Sequence, residues 1–232
     1  MTECTKLKRQ SIQGENSLSY KISYQNLFWL FMMGSVAGFM IEGVWCVLRK
    51  GAWESHSATV WGPFCIVYGF GAIAVYMMAC VLKKKNYAVQ FIWFAVAGSV
   101  IEFFSSLFQE CCFGSTSWNY SKHILNIGGR VSLQMSLAWG ALGILFVRLL
   151  FPPLNYLFAK MRRKYWRILC IFATTFMAVN LIVSAAAVMR WSKRIAQEPA
   201  ANKVEQFLDD TYDNGTMERL YPNMVFLTET GQ

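Results

Sequence analysis

Five apolar runs, each close to the length that crosses a bilayer, leave this chain few folds to choose from. A spanning helix needs roughly 20 predominantly apolar residues, and lipid satisfies no backbone group outside a helix or a closed barrel. The runs are 27–48, 64–82, 87–108, 131–150 and 166–189. Polar residues interrupt them sparingly: Glu42 in the first, Gln90 and Glu102 in the third, Gln134 and Arg148 towards the ends of the fourth. Only 15% of the 232 residues are charged, against about 25% in a soluble domain, so this surface cannot all face water. The expectation is an all-α polytopic membrane bundle of five transmembrane helices. An N-terminal tail over 1–26, a membrane domain over 27–190 and a C-terminal tail over 191–232 complete it.

The formal charge of +9 raises the question of nucleic acid, but its distribution answers otherwise. Lys6, Lys8, Arg9 and Lys21 precede the first run, Lys83–Lys85 separate the second from the third, and Lys160, Arg162, Arg163, Lys164 and Arg167 precede the fifth. The alternate loops carry only Arg49, Lys50, Lys122 and Arg130. Basic residues gather on the cytoplasmic side of membrane helices, which puts the N-terminus inside, the C-terminus outside, and excludes nucleic acid as a partner. The first 20 residues are polar and read as no cleavable signal. Beyond 191 the tail is acidic, with a short amphipathic helix expected around 202–212 and a flexible end after it. Asn214-Gly-Thr216 fits a glycosylation acceptor, a tripeptide common by chance. The loops 49–63 and 109–130 are long and rich in Trp, Gly, Ser and Asn, the composition of loops that carry function.

The first and third runs share the pattern A-G-x-x-I-E. Ala37-Gly38-Phe39-Met40-Ile41-Glu42 and Ala97-Gly98-Ser99-Val100-Ile101-Glu102 stand 60 residues apart, and each precedes a loop bearing Gly, Trp and Ser. With two spans per copy, both copies point the same way: a parallel duplication, unlike the inverted repeats of many ion-coupled transporters. Gly34, Gly38 and Glu42 fall on one helix face, as do Gly98, Glu102 and Ser106. Small residues there let neighbours approach closely, so both carboxylates face the bundle and need partners. Arg130 heads the fourth run at the same external level, and a guanidinium can fork two carboxylates. Two readings of a Glu42–Arg130–Glu102 cluster stay open: a substrate or cation site under the external loops, or an ion-pair lock fixing helix registry.

Other chemistries find little footing. His56 and His123 sit singly in external loops with no ligand-spaced companion, so no metal site is expected. The seven cysteines form no C-x-x-C pair; Cys46, Cys65, Cys80 and Cys170 lie in apolar runs as small hydrophobes, and Cys111-Cys112 is a weak redox or metal candidate. No phosphate-binding loop, dinucleotide fingerprint or nucleophile elbow occurs. Gly69 and Gly71 read as packing, Arg148, Pro152 and Pro153 as a helix end. No cofactor is implied and nothing hydrolyses ATP.

Trp61-Gly62-Pro63-Phe64-Cys65-Ile66-Val67-Tyr68-Gly69-Phe70-Gly71-Ala72 resembles the G-P-x-x-P-x-Y-G-x-G signature of the bacterial family known as putative type-IV ABC-transporter permeases. Trp118-Asn119-Tyr120-Ser121 and Asn126-Ile127-Gly128-Gly129-Arg130 resemble its W-D-Y-S and N-x-x-G-R motifs, and Leu137-Ala138-Trp139-Gly140 fits its fourth helix. The resemblance covers roughly 27–150. Ile66 replaces a proline and Asn119 an aspartate, which removes the carboxylate an acid–base or cation role of that segment would use. The resemblance implies a permease-like component whose ATPase is a separate nucleotide-binding subunit docking on the cytoplasmic side, with Glu42, Glu102, Trp118, Tyr120, Asn126, Gly129 and Arg130 as site residues. Membrane lipid is the surrounding partner, and a homo-oligomer is compatible with the sequence. Behind a transport component rank a sensor or assembly factor binding through the external loops and tail, and then a lipid-modifying enzyme using Glu42 or Glu102.

Overall fold

The computed structural model describes residues 22–161 and 164–227; the basic residues of the N-terminal tail, Arg162 and Arg163 lie outside them. Helix α1 (Tyr24–Lys50) starts where the Ser23 hydroxyl accepts from the Asn26 amide, an N-cap that satisfies one of the open donors of the first turn. Asn86 caps α3 (Tyr87–Phe113) in the same way through the Val89 amide. Between them runs α2 (Ile66–Leu82), shorter at 17 residues. The turn from α2 to α3 is stapled by Gln90, whose amide donates to the carbonyls of Leu82 (3.2 Å) and Lys85 (3.0 Å). That is the use of the polar Gln90 in an apolar run.

Helix α4 (Leu133–Leu145), capped by Ser132, does not stop at Arg148 or at the prolines as the sequence suggests. It passes through a π-turn, Phe146–Leu150, into α5 (Phe151–Lys160). Proline removes a donor and crowds the preceding turn; the wider π-turn just before Pro152-Pro153 absorbs the mismatch, and Leu133–Phe158 makes one 26-residue apolar rod. Helix α6 (Lys164–Ile195) is 32 residues long, about 48 Å at 1.5 Å per residue, so its last turns outreach a bilayer.

Among the described residues four helices are long and apolar enough to cross a membrane: Tyr24–Lys50, Tyr87–Phe113, Leu133–Phe158 and Lys164–Ile195, with Ile66–Leu82 a shorter apolar helix. The protein is an all-helical, multi-pass membrane protein. Helix α1 packs chiefly on α2, α3 on α4, and α2 on α3, while α6 lies against α1 and α3. Apolar side chains such as Val81 (78% exposed) and Phe172 (70%) face outward, where lipid would meet them.

The tail is folded further than expected. Helix α7 (Lys203–Thr211) coincides with the anticipated amphipathic segment, but α8 (Asn214–Leu220) follows at once, capped by Asp213. Strand β2 (Val225–Phe226) then pairs antiparallel with β1 (Ser115–Thr116) just beyond α3. Met217, Trp191 and Phe226 fill the centre of this cap. Asp209 receives a two-pronged ion pair from Arg190 at 2.8 and 2.9 Å and a second cation from Arg194; the Arg190 guanidinium above all holds its carboxyl below the usual range. Arg194 also engages the Asn214 amide oxygen at 2.8 Å. A seven-residue helix and a two-residue strand carry no periodicity to read, which is why the sequence hid them.

The loop after α1 is tied to α6. The Val60 amide donates to Ser184 Oγ (2.9 Å), the Trp61 amide to Asn180 Oδ1 (3.2 Å), and Asn180 Nδ2 to the Trp61 carbonyl (2.7 Å). Asn180 is fully buried. Two polar residues in the most apolar run therefore serve as an anchor for the Trp61-Gly62-Pro63 segment.

A carboxylate pair under the loops

Gly38 and Gly98 seat aromatic rings. A Cβ on Gly38 would collide with Tyr68, and one on Gly98 with Trp139. The expected close approach of helix backbones is thus the insertion of a ring from the next helix. Neighbouring contacts follow the same register: Gly69 meets Phe31 as Gly140 meets Phe91, and Gly34 meets Ala72 as Gly143 meets Phe94. The rings of Tyr68 and Trp139 then touch each other, with centroids 5.3 Å apart.

Both glutamates reach this aromatic pair. The Tyr68 hydroxyl donates to Glu42 Oε1 at 2.5 Å, and the Tyr120 hydroxyl to Glu102 Oε1 at 2.9 Å. Trp139 also lies against the Glu102 carboxylate, and the two carboxylates are near enough to feel each other's charge. Glu102 is 5% exposed, and its Oε2 has no hydrogen-bond partner among the described residues; Glu42 is half-buried. Tyr120 lies in the loop beyond α3, and its phenol is held well above the ordinary range, first by burial and then by the Glu102 carboxylate.

Arg130 is not the shared partner that the sequence suggests. It pairs with Glu110 at 2.6 Å, donates to Ser106 Oγ at 3.2 Å and rests over the Phe103 ring, 6.0 Å from its centroid. Glu102, Ser106 and Glu110 follow one another at four-residue steps on one face of α3, so Arg130 is set further towards the loops than Glu102. Among the described residues neither Glu42 nor Glu102 has a basic group within 4 Å.

The two loop motifs form one knot. Arg130 N donates to Ile127 O (3.0 Å) across Gly128 (φ +59°) and Gly129 (φ +67°), a type I′ turn, whose two positive φ values suit glycine. Asn126 Oδ1 accepts from the Gly129 amide (3.0 Å) and its amide donates to the carbonyls of Ser121 and His123. Trp118 Nε1 donates to the Arg130 carbonyl (3.0 Å), and the Tyr120 amide to the Gly129 carbonyl (2.7 Å). The knot's product is the aim of Tyr120 at Glu102. Asn119 is exposed and its Oδ1 accepts from the Ser121 amide at 2.8 Å, a task that needs an oxygen and no charge.

Of the anticipated residues, Glu102, Tyr120 and Arg130 lie along one face of α3, with Trp118, Asn126 and Gly129 holding the loop behind them. Tyr68, Trp139 and Glu110 were not foreseen as site residues; the first two stood inside motifs already noticed, as a Tyr and a Trp each followed by glycine. Elsewhere on the loop-bearing end, Cys46, Glu54 and His56 bring potential metal-ligand atoms within 4.8 Å of one another.

A sequence-family model described as "Putative ABC-transporter type IV" matches residues 29–185, a stretch that contains both glutamates, their tyrosines and the loop knot. No curated protein and no solved structure matches the chain.

Proposed function

Because the chain belongs to the putative ABC-transporter type IV family, we propose that it is the membrane-embedded, permease-like component of a transport system whose ATPase is a separate chain. In this reading all five apolar helices span the membrane, since 17 residues is at the short end of what suffices. The N-terminus is cytoplasmic, the C-terminal cap external, and the pairs α1–α2 and α3–α4 are parallel copies of one unit. The matching glycine–ring contacts of the two pairs support that duplication.

The observation that carries a binding role is the convergence of Glu42 and Glu102 on the Tyr68–Trp139 rings without a basic partner among the described residues. Two carboxylates beside aromatic faces suit a cationic group, held by charge and by ring quadrupoles. An ion-pair lock would need Arg130 to bridge them, and Arg130 is engaged by Glu110. Mild-detergent copurification from the native membrane tests the assignment. The expected result is a nucleotide-binding subunit in stable association with the tagged chain; repeated purification without one would sink the transport reading. Orientation has its own check. Cys111 and Cys112 are exposed and should react with a membrane-impermeant maleimide added to intact cells.

A sensor or assembly role is favoured by one feature, the folded cap clasped to both loops through β1–β2 and the Asn223–His56 hydrogen bond. Removal of 197–232 with no loss of phenotype would count against it.

A further inference from the structure

Beyond the carboxylate pair, the end of α1 gathers three side chains of metal-ligand type. Cys46 stands one helical turn past Glu42 and is 6% exposed. After α1 ends at Lys50 the chain doubles back, because Trp53 packs onto Gly43 and onto the Phe39 ring, 5.7 Å between centroids. That return sets Glu54 and His56 over the cysteine. Cys46 Sγ lies 3.8 Å from Glu54 Oε2 and 3.9 Å from His56 Nε2. Those separations come close to the edges, about 3.6 Å, of a tetrahedron built with zinc–sulfur bonds of about 2.3 Å and zinc–nitrogen or zinc–oxygen bonds of about 2.1 Å.

The histidine is oriented for the task. Its Nδ1 lies 3.2 Å from the Glu54 carbonyl oxygen, which can only accept, so Nδ1 carries the hydrogen and Nε2 keeps its lone pair. Fixing one ring nitrogen on a carbonyl to free the other is how metal-binding histidines are held. The Nε2 lone pair accepts from Asn223 Nδ2 at 3.1 Å. Lys50 Nζ donates to both Glu54 oxygens, at 2.9 and 2.7 Å, placing a positive charge where a cation would sit. Lys50 is 55% exposed and its flexible stem leaves readily.

We propose that Cys46, Glu54 and His56 form a three-ligand site for a divalent transition metal, zinc by preference, with water in the fourth position. Thiolate and imidazole select such metals over calcium or magnesium, which take oxygen ligands. On binding, the Cys46 thiol proton passes to solvent, Lys50 releases Glu54, and Asn223 yields Nε2. Affinity therefore falls as pH falls. The sequence concealed the site because its ligands come from a helix and from a loop folded back over it.

Cobalt(II) is the probe. The background protein is the full chain with Cys4→Ser, Cys111→Ser and Cys112→Ser, which removes competition from those three thiols, purified in detergent and stripped with chelator. Titration should develop a near-ultraviolet thiolate-to-cobalt band and the visible bands of tetrahedral cobalt, saturating at one metal per chain and bleached by zinc. Adding Cys46→Ser should abolish the near-ultraviolet band, and Lys50→Ala should tighten binding several-fold. No saturable band in the background protein, or an unchanged band after Cys46→Ser, overturns the proposal. Should Cys46→Ser not fold, His56→Ala in the loop decides: at least a tenfold loss of cobalt affinity supports the site, and unchanged affinity removes it.

Discussion

Glu42 and Glu102 occupy the same place in two copies of the A-G-x-x-I-E pattern, yet their hydroxyl donors come from different kinds of structure. Tyr68 belongs to a helix and is wedged on Gly38, so the Glu42 hydrogen bond is as rigid as the α1–α2 contact. Tyr120 belongs to a loop, and its aim depends on the Gly128-Gly129 turn and on Asn126. In the second helix pair the seat on Gly98 is taken by Trp139, which has no hydroxyl to give. One carboxylate therefore takes its hydroxyl from a packed helix and the other from a loop. The buried carboxylate, Glu102, has the loop-borne partner.

Substitution at the ring seats should produce the largest effect. Gly98→Val and Gly38→Val force a branched side chain into Trp139 and Tyr68, which overpacks the helix pair by about 3 kcal/mol. Both should lose monodisperse yield in detergent size-exclusion chromatography, and normal yield from either would break the parallel between the seats. Next, Tyr120→Phe leaves the 5%-exposed Glu102 without its hydroxyl donor, for roughly 2 kcal/mol. Tyr68→Phe at half-buried Glu42 should cost about 1 kcal/mol. Thermal unfolding of the two variants in one detergent measures the ordering, and a reversed order would refute the contrast drawn between the buried and the half-buried carboxylate.

Gly129→Ala acts on the loop alone. A side chain at φ +67°, with Asn119 Oδ1 2.8 Å from the new Cβ, should destabilise the turn by about 1 kcal/mol. Hydrogen exchange should quicken over 118–130 and stay unchanged over α1 and α2. The smallest effect belongs to Asn119→Asp, within about 0.5 kcal/mol of the parent, because either side chain offers the oxygen that the Ser121 amide uses. A large shift there would mean that charge at this position matters after all.

Runs of about 20 apolar residues made the helices legible, and the repeated A-G-x-x-I-E pattern made the glutamates so. What the runs could not convey was anything set by a neighbour. Arg130 was aligned with Glu102 by depth, but it enters from a hairpin outside the helix and finds Ser106 and Glu110 first. Pro152-Pro153 read as a stop because proline breaks regular helix; a π-turn of five residues lets the helix continue. Asn119 looked like a lost carboxylate until its oxygen was found capping a turn. Tyr68 and Trp139 were visible within motifs, but their meeting across α2 and α4 depends on glycine seats that only packing reveals.

The β1–β2 clasp fixes an order of manufacture. Ribosomes deliver the chain from its N-terminus, so Val225 and Phe226 emerge after every helix has been made. Until they do, Ser115 and Thr116 have no strand beside them, and His56 lacks Asn223. A nascent chain stalled before residue 225 would leave Ser115 and Thr116 without the strand they pair with, so this clasp closes only after the helices it joins have been made.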